Sequence, residues 1–422
     1  MDSEQISPPF TDRYTRKKEA IVGAATGILN RRGVKGMTLA DVAASVDLIT
    51  TSVTYYFKKK EDLAVACYLR SIARMEELIG GALGAPRAED RLMTFLDRYL
   101  ALERRIGEGE APPLAIFSDI RALKEPYYAT VLARYREMFR TIRRIFEGAG
   151  AGHLDRHTAT LRTYMLLEQL YWAVTWLPRY DTDDYPRLRD RMFAILVDGI
   201  VRDDADWQQS ASPCIPAALS GNGVGVHETY LIAATRLINQ SGYRGASVEK
   251  ISAQLNVTKG SFYHHNEGKE DLVVACFERS FETIRRAQRL AMERDGNFQH
   301  KLSVLTGALV EYQLCDRGPL LRTTALAALP EPLRQTMIAR FNRVCDRFAA
   351  MISDGIAEGS LRAVDPFIAA QMLNATVNGA ADLSLYVPSI SQADVAQRYA
   401  RPMLAGIFSA GGSINSQRRT SS

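Results

Sequence analysis

"LNVTKGSFYHHNEGKEDLVVAC", Leu255 to Cys276, and "VDLITTSVTYYFKKKEDLAVAC", Val46 to Cys67, agree at their ends and differ in the middle. The same offset of 209 positions relates Gly33 to Gly242, Gly36 to Gly245, Lys60 to Lys269 and Cys67 to Cys276, with no gap from Ala24 to Ser71. Solenoid units repeat every ~20–50 residues, so this spacing reads as a duplicated domain. Weaker echoes follow. Pro113, Glu125 and Pro126 stand opposite Pro319, Glu331 and Pro332 at an offset of 206, and "VDGIV" (197–201) stands opposite "LAGIF" (404–408) at 207. The duplication is therefore expected to cover nearly the full length of each half.

The bulk numbers agree with more than one domain. A chain of 422 residues exceeds one ordinary core. Hydrophobic content of 46% with 24% charged residues is that of a soluble globular protein. No apolar run approaches a membrane span, and the N-terminus lacks an apolar signal core, so the expectation is cytoplasmic with no membrane partner. The five cysteines, Cys67, Cys214, Cys276, Cys315 and Cys345, are odd in number and lack CxxC spacing. They read as reduced thiols. A net charge of +5 is compatible with nucleic acid without establishing it. Asp203 to Val226, rich in Ser, Pro, Gly and Asp, reads as a linker of 24 residues. Its coil span of roughly 27 Å lets the halves pack side by side. The C-terminal "GGSINSQRRTSS" reads as disordered.

The expected fold is all-α. Ile21, Ala24/Ala25 and Ile28/Leu29 recur at helical spacing, as do Tyr230, Ala233/Ala234 and Leu237/Ile238. A Gly-containing turn follows in each copy ("RRGVKGMT", "QSGYRGAS"), then a short helix capped by Thr38 or Ser247. Its buried face is expected from Leu39, Val42/Ala43 and Val46, and from Val248, Ile251 and Leu255. A tight turn at Asp47 or Asn256 leads into a third helix, because these residue types tolerate positive φ. Two short helices joined this way make a helix-turn-helix, whose second helix can enter the major groove. In the second copy Thr258 can cap that helix, Lys259, Ser261, Tyr263 and His264 offer donors, and Gly260 lets a DNA backbone approach. Helix hairpins of this kind are common and most bind no nucleic acid; finding the pattern twice gives it weight.

The run "VTKGSFYHHNEGKEDL" resembles the signature of the tetracycline-repressor (TetR) family, over about 45 residues of each half. The resemblance implies two tandem TetR-like halves, each an N-terminal helix-turn-helix domain followed by a helical ligand-binding and dimerisation bundle. The implied domains are 14–68, 69–202, 227–277 and 278–410, with 203–226 as linker. Thr38 and Ser247 would face phosphate, Lys259, Gly260, Ser261, Tyr263 and His264 would lie on the recognition helix, and Lys60 and Lys269 would touch the DNA backbone. The first copy departs from the pattern across Thr50, Thr51, Ser52, Thr54 and Tyr55. Ile49 replaces the polar cap, Thr50 and Thr51 replace Lys-Gly, and Thr54 replaces Tyr. The second copy has Asn266 where the first keeps Phe57. Scaffold positions agree and groove-facing positions differ, so two unlike half-sites are expected. Decay of the first reader is the alternative, opposed by Lys58, Lys59 and Lys60. Arg13, Arg16, Lys17 and Lys18 read as a basic arm or a solvated tail.

In the regulatory parts, Phe117, Tyr164, Tyr171 and Trp172 could line a pocket for a small apolar or aromatic effector, or could simply be core. Asn374, Asn378 and Asp382 fall at i, i+4 and i+8, a stripe that could line the pocket or an interface, or be wet surface. His153 and His157 lack a third ligand, so no metal is expected, and no cofactor. No nucleophile triad, P-loop or dinucleotide fingerprint stands out, so no enzyme is expected. The chain thus reads as an effector-responsive regulator, most simply a repressor, acting on double-stranded DNA as an intramolecular pseudo-dimer and open to further homodimerisation. A constitutive or architectural DNA-binding protein is the alternative.

Overall fold

The computed structural model describes residues 9–152, 154–202, 226–254 and 268–409. These form helices joined by short turns, and the β-structure among them is an isolated antiparallel bridge between Val201 and Leu361. Among the described residues no helix is long and apolar enough to cross a membrane. The linker positions 203–225, His153, Cys214 and the C-terminal tail lie outside the described residues.

The chain divides into two units. The first comprises 1–77 and 105–138, the second 78–104 and 139–422. In the first, α1 (Pro9–Gly36) is broken at Gly33, whose φ of 63° and ψ of 173° only glycine adopts without strain. Helix α2 (Leu39–Ser45), α3 (Thr50–Tyr56) and α4 (Lys60–Gly80) follow. Ile21, Ala25, Leu29, Met37, Val42, Val53, Leu63 and Cys67 pack together as the core. Leu39 and Val46, expected on the buried face, are only half-buried. Arg13, Arg16, Lys17 and Lys18 sit on the exposed surface of α1. The expected arm or tail is therefore corrected to helix, started by Pro9, a residue tolerated in a first turn.

The second unit holds α7 (Arg156–Trp176) and α8 (Tyr185–Asp198) from the first half of the chain. From the second half it holds α9 (Val226–Gly245), α10 (Val248–Gln254), α11 (Lys269–Met292), α12 (Phe298–Leu314), α13 (Glu331–Ala357) and α14 (Pro366–Gly379). Helices α5 (Ala88–Gly107) and α6 (Tyr127–Arg143) complete the numbering. Helix α14 packs on both α13 and α7. Gln169 Nε2 donates to Met372 O at 3.1 Å and Thr376 Oγ1 at 3.0 Å, and Tyr164 Oη donates to Gly379 O at 2.8 Å. Further on, Ile200 N donates to Leu404 O and Ile407 N to Leu196 O, both at 2.6 Å. Helices from the two halves of the sequence thus share one core.

Each half builds the same hydrogen-bonded frame. Asn30 Nδ2 donates to Leu114 O at 2.8 Å and its Oδ1 accepts from Ile116 N at 3.0 Å. Asn239, 209 positions later, donates to Leu320 O at 2.9 Å and accepts from Arg322 N at 3.0 Å. Ser71 Oγ accepts from Ala115 N, and Ser280 Oγ from Leu321 N, both at 2.9 Å. Cys67 Sγ and Cys276 Sγ face Val22 O and Leu231 O at 3.6 and 3.7 Å. Gly242 breaks α9 at φ 68°, as Gly33 breaks α1.

Candidate nucleic-acid interface

In the first unit the turn between α2 and α3 places Asp47 at φ 53°, among the described residues the one non-glycine with positive φ. Asp tolerates this because its short side chain bonds locally. Thr38 caps α2: its Oγ1 accepts from Asp41 N at 3.1 Å and donates to Asp41 Oδ2 at 2.7 Å. That hydroxyl, with Arg32 at 2.9 Å, holds the Asp41 carboxyl below its ordinary range. Thr38→Ala should cost about 1 kcal/mol, the usual value of an N-cap, read as a lower unfolding midpoint of the first unit.

Helix α3 buries Val53 and turns Thr50, Thr51 and Tyr55 outward, with Ser52 and Thr54 half-exposed. Its N-cap, Ile49, makes no side-chain cap bond. Thr54 donates its hydroxyl to Thr50 O at 2.9 Å, so its methyl and the lone pairs of its oxygen are what it can offer a partner. Tyr14 of α1 lies against Tyr56 at 4.8 Å and Tyr55 at 6.3 Å between ring centroids, and so braces the end of α3. Lys60 Nζ donates to Lys35 O at 2.9 Å, with protons to spare for a phosphate, while Lys58 and Lys59 are exposed.

In the second copy Ser247 Oγ accepts from Lys250 N at 3.3 Å, the counterpart of the Thr38 cap, and Lys269 opens α11. Thr258, Lys259, Gly260, Ser261, Tyr263 and His264 lie outside the described residues.

Of the expected pocket residues, Phe117 belongs to the first unit, where its ring meets Tyr135 at 5.3 Å. The others belong to the second unit. Tyr164 stacks on Tyr386 at 4.2 Å, and Trp172 Nε1 donates to Gln371 Oε1 at 3.0 Å. Asn374 Nδ2 donates to Ala370 O at 2.8 Å, Asn378 bonds Thr323, and Tyr171 is half-buried. The stripe Asn374, Asn378, Asp382 is not wet surface: Asn374 and Asp382 are buried.

Sequence reasoning missed what Asp382 does there. Arg322 donates to both oxygens of Glu168, at 2.9 and 3.2 Å, and pairs with Asp382; Arg322 and Asp382 are buried, and the Glu168 side chain is 12% exposed. Burial works against the Arg322 charge, but Glu168 and Asp382 outweigh it and raise its pKa. Burial raises the Glu168 pKa, with Arg322 opposing. A signal existed in the sequence: Glu168 interrupts the apolar run "MLLEQL", and Arg322 stands where the first copy has Ile116.

Residues 231–276 match the family model of bacterial regulatory proteins, tetR family. The chain is 34% identical to the Transposon Tn10 TetC protein of Escherichia coli over 58 residues, 14% of this chain and 29% of TetC. It is 28% identical to the HTH-type transcriptional repressor DhaR of a Mycobacterium species (strain GP1) over 151 residues, 35% of this chain and 75% of DhaR. Among solved structures, the transcriptional regulator FadR from Bacillus subtilis, crystallised with stearoyl-CoA, aligns at 18% identity and a TM-score of 0.36, covering 43% of this chain and 98% of FadR. The likeness to the tetR family thus lies in residues 231–276 and in sequence relatives named as transcriptional repressors.

Proposed function

We propose that the chain is a cytoplasmic transcriptional repressor that binds double-stranded DNA as a single-chain pseudo-dimer on an operator with two unlike half-sites. The carrying observation is the hydrogen-bonded frame built twice, Asn30 with Ser71 and Asn239 with Ser280, around groove-facing positions that differ. A duplicated TetR-like half, with the helix-turn-helix domain first and a helical bundle after it, accounts for both. Packing of α7 and α8 on α14 and residues 401–407 supplies the pseudo-dimer's junction. The operator's two half-sites are then expected one DNA turn, about 34–36 Å, apart. An effector acts by favouring an arrangement whose spacing no longer fits.

Selection of bound sites from random DNA, with the chain-to-DNA ratio read by light scattering, tests this. One chain on a site with two unlike half-sites is the expected result. Two chains on a palindrome matching only one reader would indicate further homodimerisation and one copy reduced to scaffold. No enriched site at low salt refutes DNA-binding regulation itself.

Constitutive DNA binding is the second reading. Tyr164, Trp172, Asn374 and Asn378 make bonds within helix packing, which favours a filled interior. A thermal-shift screen separates the two: a metabolite that raises the midpoint and releases DNA supports the effector.

A further inference from the structure

Ile49 stands 71% exposed at the N-cap of α3, and Tyr55 on the same helix 69%. The cap position of a helix favours Ser, Thr, Asp or Asn, which satisfy a free N–H; isoleucine satisfies none. A large apolar side chain in water at that position therefore weakens the helix without helping the core. The core does not need it, because α3 is held by buried Val53 and Phe57 and by Tyr14. The surroundings fit one class of partner. Exposed Lys58 and Lys59 follow α3, and α1, which Tyr14 ties to α3, carries exposed Arg13, Lys17 and Lys18. An apolar spot rimmed by cations complements a DNA major groove, where phosphates line the edges and thymine alone presents a methyl group.

Resting on the DNA-binding reading above, we infer that Ile49 is a specificity-determining residue that packs against a thymine 5-methyl. The first reader thus selects T·A pairs by apolar contact. The second copy has Thr258 and Lys259 at the positions of Ile49 and Thr50, side chains suited to polar contacts. The N-terminal residues of a recognition helix are the ones that reach base edges, which is where Ile49 stands.

The test uses the full chain and its selected site. Each thymine in turn is replaced by deoxyuridine, which removes the methyl and leaves base pairing intact. Binding of the native chain should fall roughly fourfold at one or two positions in one half-site, the transfer of about one methyl-sized group from water. Ile49→Ala should bind more weakly and be indifferent to the same replacements. Ile49→Ser should raise the unfolding midpoint, by supplying the missing cap, while losing the thymine preference. Equal sensitivity to deoxyuridine in the native chain and Ile49→Ala overturns the inference, as does indifference in the native chain. A selected palindrome read by the second copy alone also overturns it, while leaving DNA-binding regulation in place. If no site is enriched, both fail together.

Discussion

Arg322→Met is expected to destabilise the second unit by about 3 kcal/mol at pH 7.5, because it leaves the buried Asp382 and the largely buried Glu168 without a counter-charge. Urea unfolding followed by tryptophan fluorescence reads this directly, since Trp172 and Trp176 lie in the same unit. The pH dependence has a definite sign. Burial already holds the Glu168 pKa above its unfolded value, and without the opposing guanidinium it rises further. The cost is then full above the raised pKa and shrinks as the pH falls toward the unfolded value and protons restore neutrality. Arg322→Lys should lie in between, with the charge kept but the two-pronged contact to Glu168 lost. Glu168→Gln should cost far less, because Asp382 still neutralises the guanidinium. A loss under ~1 kcal/mol for Arg322→Met would mean that the cluster is wet and weakly coupled.

Glu103→Gln should act in the opposite direction. Glu103 is 7% exposed, and burial lifts its carboxyl from 4.5 to about 7, with the Tyr99 hydroxyl opposing. A raised carboxyl pKa means that the folded state prefers the proton. The resulting cost is absent below pH ~4.5, develops between 4.5 and 7, and is complete above that, reaching about 3 kcal/mol. The glutamine variant keeps the shape without the charge. It should unfold at a higher temperature than the native chain at pH 8, and at the same temperature near pH 4.5. An equal midpoint at pH 8 would show that Glu103 reaches water in the folded protein.

Both predictions concern charges inside helices, which sequence periodicity does not distinguish from surface charges. Glu168 and Glu103 lie in helical segments where a carboxylate ordinarily faces solvent. Arg322 lies in an irregular stretch whose tertiary setting no local pattern fixes. The stripe Asn374, Asn378, Asp382 was legible as a stripe, but its burial was not. Register along one helix says which residues share a face, and only the neighbouring helix says whether that face is wet. The basic residues 13–18 were misplaced for a related reason: the apolar repeat of α1 begins at Ile21, so the exposed N-terminal turns carry no periodic signal.

What the sequence alone determined was local or repeated. It settled the helical class through 3.6-residue spacing, the turn at Gly33 and Gly242 through the φ that only glycine takes freely, and the cap at Thr38 through a side chain that bonds its own backbone. Matching residues at a 209-position offset also singled out the stretch within which the family model matches residues 231–276. The tertiary structure alone decided which residues meet across the chain: Glu168 with Arg322, Gln169 with Met372 and Thr376, Tyr164 with Gly379. These pairs lie over 150 positions apart. Their attraction exists only once long-range packing has closed the intervening chain and excluded water, and no short stretch of sequence carries that information.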